Sequence, residues 1–104
     1  MATDREYFMF ILEQLSDLEG ITFRPMMGEY ILYDRGKIAA YVCDNRLLVK
    51  PVPAAERLLP GAPYEPPYEG AKPMILVEQV EDRAFLKELF CAMYEELPAP
   101  KKKR

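Results

Sequence analysis

The 104-residue sequence contains no histidine and only two cysteines. Histidine is the side chain that most often acts as a general base near neutral pH and most often binds transition metals. Cys43 and Cys91 are too few for a disulfide-stabilised scaffold, and alone they lack the ligand number and spacing of a zinc site. Neither has a histidine to activate it as a nucleophile. We therefore expect no catalytic residue and no metal site.

Glycine clusters and long apolar runs are also missing. The five glycines are dispersed, so the chain has neither a P-loop nor a dinucleotide-binding fingerprint. No run approaches the roughly 18 apolar residues of a membrane-spanning helix, and the acidic N-terminus is not followed by an apolar leader. We expect a cytoplasmic, single-domain protein that is not an enzyme, holds no cofactor and does not bind a membrane.

Positive charge is scarce outside the C-terminal end. Residues 1–100 carry ten Lys and Arg against 17 Asp and Glu, a net charge of −7. An acidic body lacks the clustered positive field that drives non-specific binding to nucleic acid. Direct nucleic-acid binding is therefore expected only through the last four residues, which otherwise form a disordered, solubilising tail. These residues are Lys101, Lys102, Lys103 and Arg104.

The N-terminal segment has the pattern of an amphipathic helix. Residues 3–6 read Thr-Asp-Arg-Glu, which matches a capping box, and apolar residues at helical spacing continue until Gly20. The pattern predicts a helix over about residues 4–18. Some apolar residues lie outside its main stripe and either pack on the sheet edge or the last helix, or bind a second copy of the chain. These are Tyr7, Met9 and Phe10.

The middle of the chain has the two-residue period of strands. Short polar turns at 34–36 and 44–45 separate the segments, and both turns offer residues that tolerate positive φ. A further strand precedes a C-terminal helix capped at Glu81-Asp82. The pattern predicts an α+β, two-layer fold in which about five antiparallel strands are packed by an N-terminal and a C-terminal helix. The strand period begins at residue 21, and strands are expected at 30–34, 37–43, 46–50 and 74–78. Residues 23–29 are expected to link the first helix to this meander.

Two segments carry candidate binding residues. Arg24 could present its guanidinium to a carboxylate or phosphate, with Met26 and Met27 as an adaptable apolar contact; alternatively, Arg24 forms an internal ion pair and the methionines pack internally. Seven of the ten prolines lie between positions 51 and 73, which predicts a loop region interrupted by a short helix at 54–59. Within that stretch, Tyr64 and Tyr68 are either anchors for a partner or rings that close over the sheet or core.

Three segments in this order resemble the N-terminal domain of the TfoX/Sxy proteins: residues 24–28, 30–37 and 44–50. That family's pattern is an Arg-x-Met-Phe-Gly element, a strand pair turning at Gly-Lys, and a strand with Leu and Lys after an acidic turn. Met27 stands where the family commonly has Phe, and Glu29 replaces a frequent second Gly. The resemblance implies a two-layer α+β domain over residues 1–97, with 98–104 as a basic disordered tail.

The resemblance also implies a regulatory role without catalytic residues. Named members of the family promote natural competence together with a cyclic-AMP receptor-type transcription factor, and they carry a second, helical domain. We expect this chain to act as a stand-alone protein-interaction or regulatory adaptor module with a protein partner, a transcription factor being one candidate, and to form a homodimer. A rival hypothesis is a binder of a small anion or nucleic acid through Arg24, Lys50, the Tyr64/Tyr68 loop and the tail.

Overall fold

A computed structural model of the protein describes residues 3–99. One antiparallel sheet of six strands, in the order β1-β2-β3-β4-β6-β5, is covered on one face by three helices. The predicted α+β two-layer fold is confirmed. The strands are β1 Ile21–Met26, β2 Glu29–Asp34, β3 Lys37–Cys43, β4 Arg46–Val49, β5 Tyr64–Glu65 and β6 Met74–Val77, and the helices are α1 Arg5–Gln14, α2 Pro53–Leu58 and α3 Arg83–Tyr94.

The start of α1 differs from the predicted capping box. Asp4 is the N-cap residue and its side chain makes no capping hydrogen bond. The Thr3 hydroxyl instead donates to the carbonyl of Val42 at 3.2 Å, and the Asp4 amide donates to Oδ1 of Asn45 at 2.8 Å. The helix is therefore fixed by the turn between β3 and β4 rather than by its own first turn. It also ends at Gln14, four residues earlier than predicted.

Local turn chemistry sets the register of the first four strands. The turns at Arg35-Gly36 and Asp44-Asn45 have positive φ at both central residues, as the sequence predicts, and so does the turn at Met27-Gly28. Turns of this kind twist in the sense that flanking strands require. Strands β1 to β4 therefore form a continuous meander, and the segment containing Arg24 belongs to its first strand rather than to a linker.

The proline-rich segment contains the short helix that the sequence predicts at 54–59 and one strand that it does not predict. It contains α2 and the two-residue strand β5, which pairs with β6 and gives the sheet a sixth strand where the sequence predicts about five. The ion pair between Arg46 and Glu65 attaches β5 to the sheet. A backbone hydrogen bond of 2.9 Å from Leu76 to Pro63 extends the same attachment.

The core lies between the helices and the inner face of the sheet. Alternate strand residues such as Leu47, Val49 and Ile75 meet Ile11 and Phe90 from the helices, and all are at most 1% exposed. Fully burying an aliphatic or aromatic side chain of this size contributes about 1.5–3 kcal/mol. None of the helices within residues 3–99 has the length and apolar character needed to cross a membrane.

Side-chain hydrogen bonds stabilise both ends of α3. Asp82 caps its N-terminus by accepting a hydrogen bond of 3.0 Å from the amide of Phe85, as the sequence predicts. At the other end, Lys37 Nζ donates to the carbonyl of Tyr94 at 3.1 Å, which places a cation at the negative end of the helix dipole. Leu97 is buried beyond the helix and so holds Pro98 and Ala99 beside the sheet.

Candidate functional site

The face of the sheet opposite the helices carries the candidate site. Strand register places Arg24 beside Ile31, Ile31 beside Tyr41, and Tyr41 beside Leu48. Because paired residues share a face and Leu47 and Val49 enter the core, this row points away from the helices. Lys50 lies two residues beyond Leu48 and shares that orientation. We call this surface the outer face.

Three cavities form a chain across the outer face. The central cavity, of about 510 Å³, has both Arg24 and Lys50 in its lining, together with Tyr33. Arg24 is shared with a cavity of about 250 Å³ at β1, and Lys50 with one of about 270 Å³ under the proline-rich segment. The three cavities therefore adjoin one another, and we name them together the cationic groove. Its defining residues are Arg24, Tyr33, Tyr41, Lys50, Tyr68 and Lys72.

The charge of the groove is of one sign. No Asp or Glu among the described residues lines any of the three cavities, although the chain as a whole is acidic. Within residues 3–99, Arg24, Lys50 and Lys72 have no ion-pair partner, whereas Arg35, Arg46 and Arg83 each pair with a carboxylate. The cations of the groove are thus available to an anionic ligand.

Aromatic rings supply the apolar part of the groove. Tyr41 in β3 and Tyr68 in the proline-rich segment lie with ring centroids 6.4 Å apart at 57°. Burial raises the pKa of Tyr41 above its ordinary value of 10.0, so its hydroxyl is neutral at physiological pH and can donate a hydrogen bond. Tyr68 is 48% exposed, and the neighbouring Pro67 is buried. Because prolines already restrict the backbone, holding this proline-rich segment against the sheet costs little conformational entropy.

The structure brings most of the predicted partner-binding residues together. Arg24 shares one cavity with Met26 and another with Lys50, and Lys50 shares a third with Tyr68. Met27 lies outside these cavities at the tip of the first hairpin turn and is 97% exposed. Tyr64 is also elsewhere, since it donates a hydrogen bond of 2.8 Å to Glu56 of α2 and so points toward the helices.

The predicted self-association residues occupy α1. Tyr7 is partly buried and packs against the core, which raises its pKa. Met9 is 51% and Phe10 37% exposed, so these two present an apolar surface on the helix. The four tail cations at 101–104 lie outside the described residues.

The cysteines occupy the reverse of their expected environments. From the sequence, Cys43 at the end of an apolar strand is expected to be half exposed and Cys91 to lie in the core or at its edge, but Cys43 is buried and Cys91 exposed. Burial, helped by the negative charge of Glu29, raises the pKa of Cys43 from 9.0 to about 12. Within residues 3–99, no group of three or more Cys, Asp or Glu is arranged to hold a metal ion. The groove itself offers cations and phenols, which suit anion binding.

Sequence reasoning missed part of the groove. Tyr33 and Tyr41 could have been found from the sequence. Apolar residues at both alternating positions of β2 and β3 indicate that the second face of the sheet is not fully solvated. No sequence pattern indicates Lys72, because its position beside Lys50 depends on how the proline-rich segment folds back over the sheet.

Comparison with known proteins agrees with this fold. No solved structure matches the chain. A protein of Spirochaeta aurantia described as "Uncharacterized 12.7 kDa protein in trpE 5'region" is 33% identical over 105 residues, which cover 100% of this chain and 91% of that protein. The family model of the TfoX N-terminal domain matches residues 13–96, as the resemblance of the three segments predicts. The chain therefore belongs to the TfoX N-terminal domain family.

Proposed function

We propose that this protein is a non-enzymatic binding module that acts in the cytoplasm as a regulatory adaptor and binds a protein partner in its cationic groove. The proposal rests on one observation above all. Arg24, Lys50 and Lys72, which lack ion-pair partners within residues 3–99, line adjoining cavities without a carboxylate in an otherwise acidic chain. A cleft lined by charge of one sign focuses its field and favours a ligand of the opposite sign.

Family membership supports the regulatory part of the proposal. The TfoX N-terminal domain family is not a known enzyme family, and a transcription-related partner is the reading that the resemblance favours. The buried thiol of Cys43, protonated at neutral pH, also makes a poor nucleophile. The expected homodimer is a further part of the proposal, supported by the exposed Met9 and Phe10 of α1.

A second candidate function uses the same groove. Unpaired cations beside tyrosine rings also suit a small anion or a single-stranded nucleic acid. The two candidates differ in the size and chemistry of the ligand and share the site. A test of the site therefore comes first.

Charge reversal in the groove provides that test. The Arg24→Glu/Lys50→Glu variant and the unaltered protein are immobilised and exposed to lysate of the source organism, and retained proteins are quantified by mass spectrometry. A matched control is Arg57→Glu/Lys87→Glu, because both residues are exposed on the helices and have no ion-pair partner within residues 3–99. Circular dichroism checks that the three proteins have comparable folds.

We expect a protein that the unaltered domain and the control both retain and that the groove variant loses by about tenfold, as removal of two charge-assisted contacts implies. Retention that is equal in all three proteins would place the binding surface elsewhere. Loss from the control as well would mean that net charge alone governs retention.

A further inference from the structure

The cations of the groove project from backbone positions that lie far apart on the sheet. Arg24 lies on β1 and Lys50 directly follows β4, so three strand spacings and two residues along the strand separate them. At about 4.8 Å per strand and 3.3 Å per residue, their backbones are about 16 Å apart. An extended peptide covers this distance in about five residues.

The two ends of the groove carry different charge. Arg24 is the only cation that lines the end at β1 among the described residues, whereas Lys50 and Lys72 line the same cavity at the other end. An arginine binds a carboxylate with two parallel hydrogen bonds, and two lysines suit a pair of carboxylates. The complementary ligand therefore has one anion at one end and two at the other.

Between the cations the floor is apolar. Ile38 and Tyr33 line the central cavity between Arg24 and Lys50, and Ile31 lies under Arg24. Such a floor packs apolar or proline side chains of a ligand and gains little from further charges. A polynucleotide carries a phosphate at every residue, and its flanking phosphates would meet the acidic remainder of the chain, which reduces its affinity.

We infer that the ligand of the groove is an extended acidic peptide segment of a partner protein, with one carboxylate and a carboxylate pair separated by about four intervening residues of apolar or proline character. This inference rests on the proposed function and names the chemistry of its partner. Such a segment crosses the strands of the outer face from Arg24 to the cavity shared by Lys50 and Lys72.

Fluorescence anisotropy with defined probes tests the inference. The probe is a fluorescein-labelled peptide of sequence Glu-Pro-Leu-Pro-Val-Glu-Glu, compared with an analogue in which every Glu is Gln. Labelled hexathymidylate and unlabelled inorganic phosphate, added as a competitor, represent the other ligand classes. The proteins are the full unaltered chain, Arg24→Glu/Lys50→Glu, the milder Arg24→Gln/Lys50→Gln, and the control Arg57→Glu/Lys87→Glu.

We expect the acidic peptide to bind the unaltered chain and the control at least about tenfold more tightly than the Gln analogue, with affinity that falls as salt rises. The Gln variant should lose part of this affinity and the Glu variant nearly all of it. Equal binding of the Gln analogue, or equal binding by the Glu variant, would overturn the inference. Tighter binding of hexathymidylate, or displacement of the peptide by millimolar phosphate at constant ionic strength, would assign the groove to the other ligand classes.

Failure of this inference can be told apart from failure of the proposed function. If retention of lysate proteins requires Arg24 and Lys50 but the acidic peptide does not bind, the ligand is not an acidic peptide. The groove is then still the binding site. If neither depends on Arg24 and Lys50, the proposed function fails as well.

Discussion

The two cysteines have opposite reactivities because of where their side chains lie. Cys43 is buried in β3 with a pKa of about 12, and Cys91 is exposed on α3. Only a thiolate attacks a disulfide reagent, and only an accessible one does so quickly. At pH 8, we expect Ellman's reagent to titrate one thiol in the native protein and two in guanidinium. Cys91→Ser should remove the native reaction, and a rapid native reaction in that variant would contradict the buried placement of Cys43.

The raised pKa of Cys43 has a consequence for stability. The unfolded thiol ionises near pH 9 and the folded one near 12, so the stabilisation is complete below pH 9 and is lost as the pH rises toward 12. Because one proton is involved, the free energy of unfolding falls by at most about 1.4 kcal/mol per pH unit. Urea titrations between pH 8 and 10.5 should show a steeper decline for the unaltered protein than for Cys43→Ala. The exposed Cys91 provides the control, since Cys91→Ala should keep the decline.

Burial of individual residues was only partly predictable from the sequence. The alternation in β3 places Ala40 and Val42 on one face, and both lie in the core. The register between β2 and β3 shifts between Leu32 and Tyr33, and local periodicity cannot foresee such an irregularity. The covering of Cys43 depends on neighbours from other strands, among them Glu29.

At the scale of elements, the hairpin turns depend on residues with positive φ. Gly36 has φ +88° and open space where a Cβ would be, so Gly36→Ala should cost only the left-handed backbone penalty, about 1–2 kcal/mol. Gly20 has the same φ, but its added Cβ would lie 2.6 Å from Cγ of Arg35. Gly20→Ala must therefore also displace Arg35 from Asp34 and from the ring of Tyr94.

Urea unfolding of the two glycine variants compares these costs directly. Gly20→Ala should lower the free energy of unfolding more than Gly36→Ala, because it adds a steric clash to the same backbone strain. Equal losses would indicate that the Arg35 side chain moves aside without energetic cost.

Elements whose structure depends on residues within the same segment were predictable from the sequence. Elements that depend on contacts with residues far along the chain were not. The turns at 34–36 and 44–45 and the cap at Asp82 follow from residues within each segment, and all three are confirmed. The start of α1 depends on Val42, 39 residues away from Thr3. The strand β5 has only two residues and exists because β6 pairs with it.

For the whole molecule, the cationic groove needs the sheet register in addition to the sequence. Arg24, Lys50 and Tyr68 are candidate binding residues on the basis of their local sequence. These residues line adjoining cavities because the meander aligns the strands and because the proline-rich segment folds over β3 and β6. The separation of Tyr64 from Tyr68, four residues apart in the chain, has the same cause.

We also predict that the chain self-associates through α1, which lies in the helical layer of the molecule. Met9 and Phe10 are exposed on α1, and burying them between two copies would remove apolar surface from water. Light scattering at increasing concentration should report twice the 12.1 kDa chain mass, and Met9→Lys/Phe10→Glu should return the protein to a monomer. A monomeric mass for the unaltered protein at millimolar concentration would contradict this prediction.

Site-specific photocrosslinking tests most directly whether the outer face binds the partner. A benzophenone side chain is placed in cells at Tyr68 in the groove, at Phe10 on α1, or at Glu88 on the exposed side of α3. The account predicts an adduct with another protein from position 68, lost when Arg24→Glu/Lys50→Glu is added, and none from position 88. The absence of an adduct at 68, or an equal adduct at 88, would contradict it.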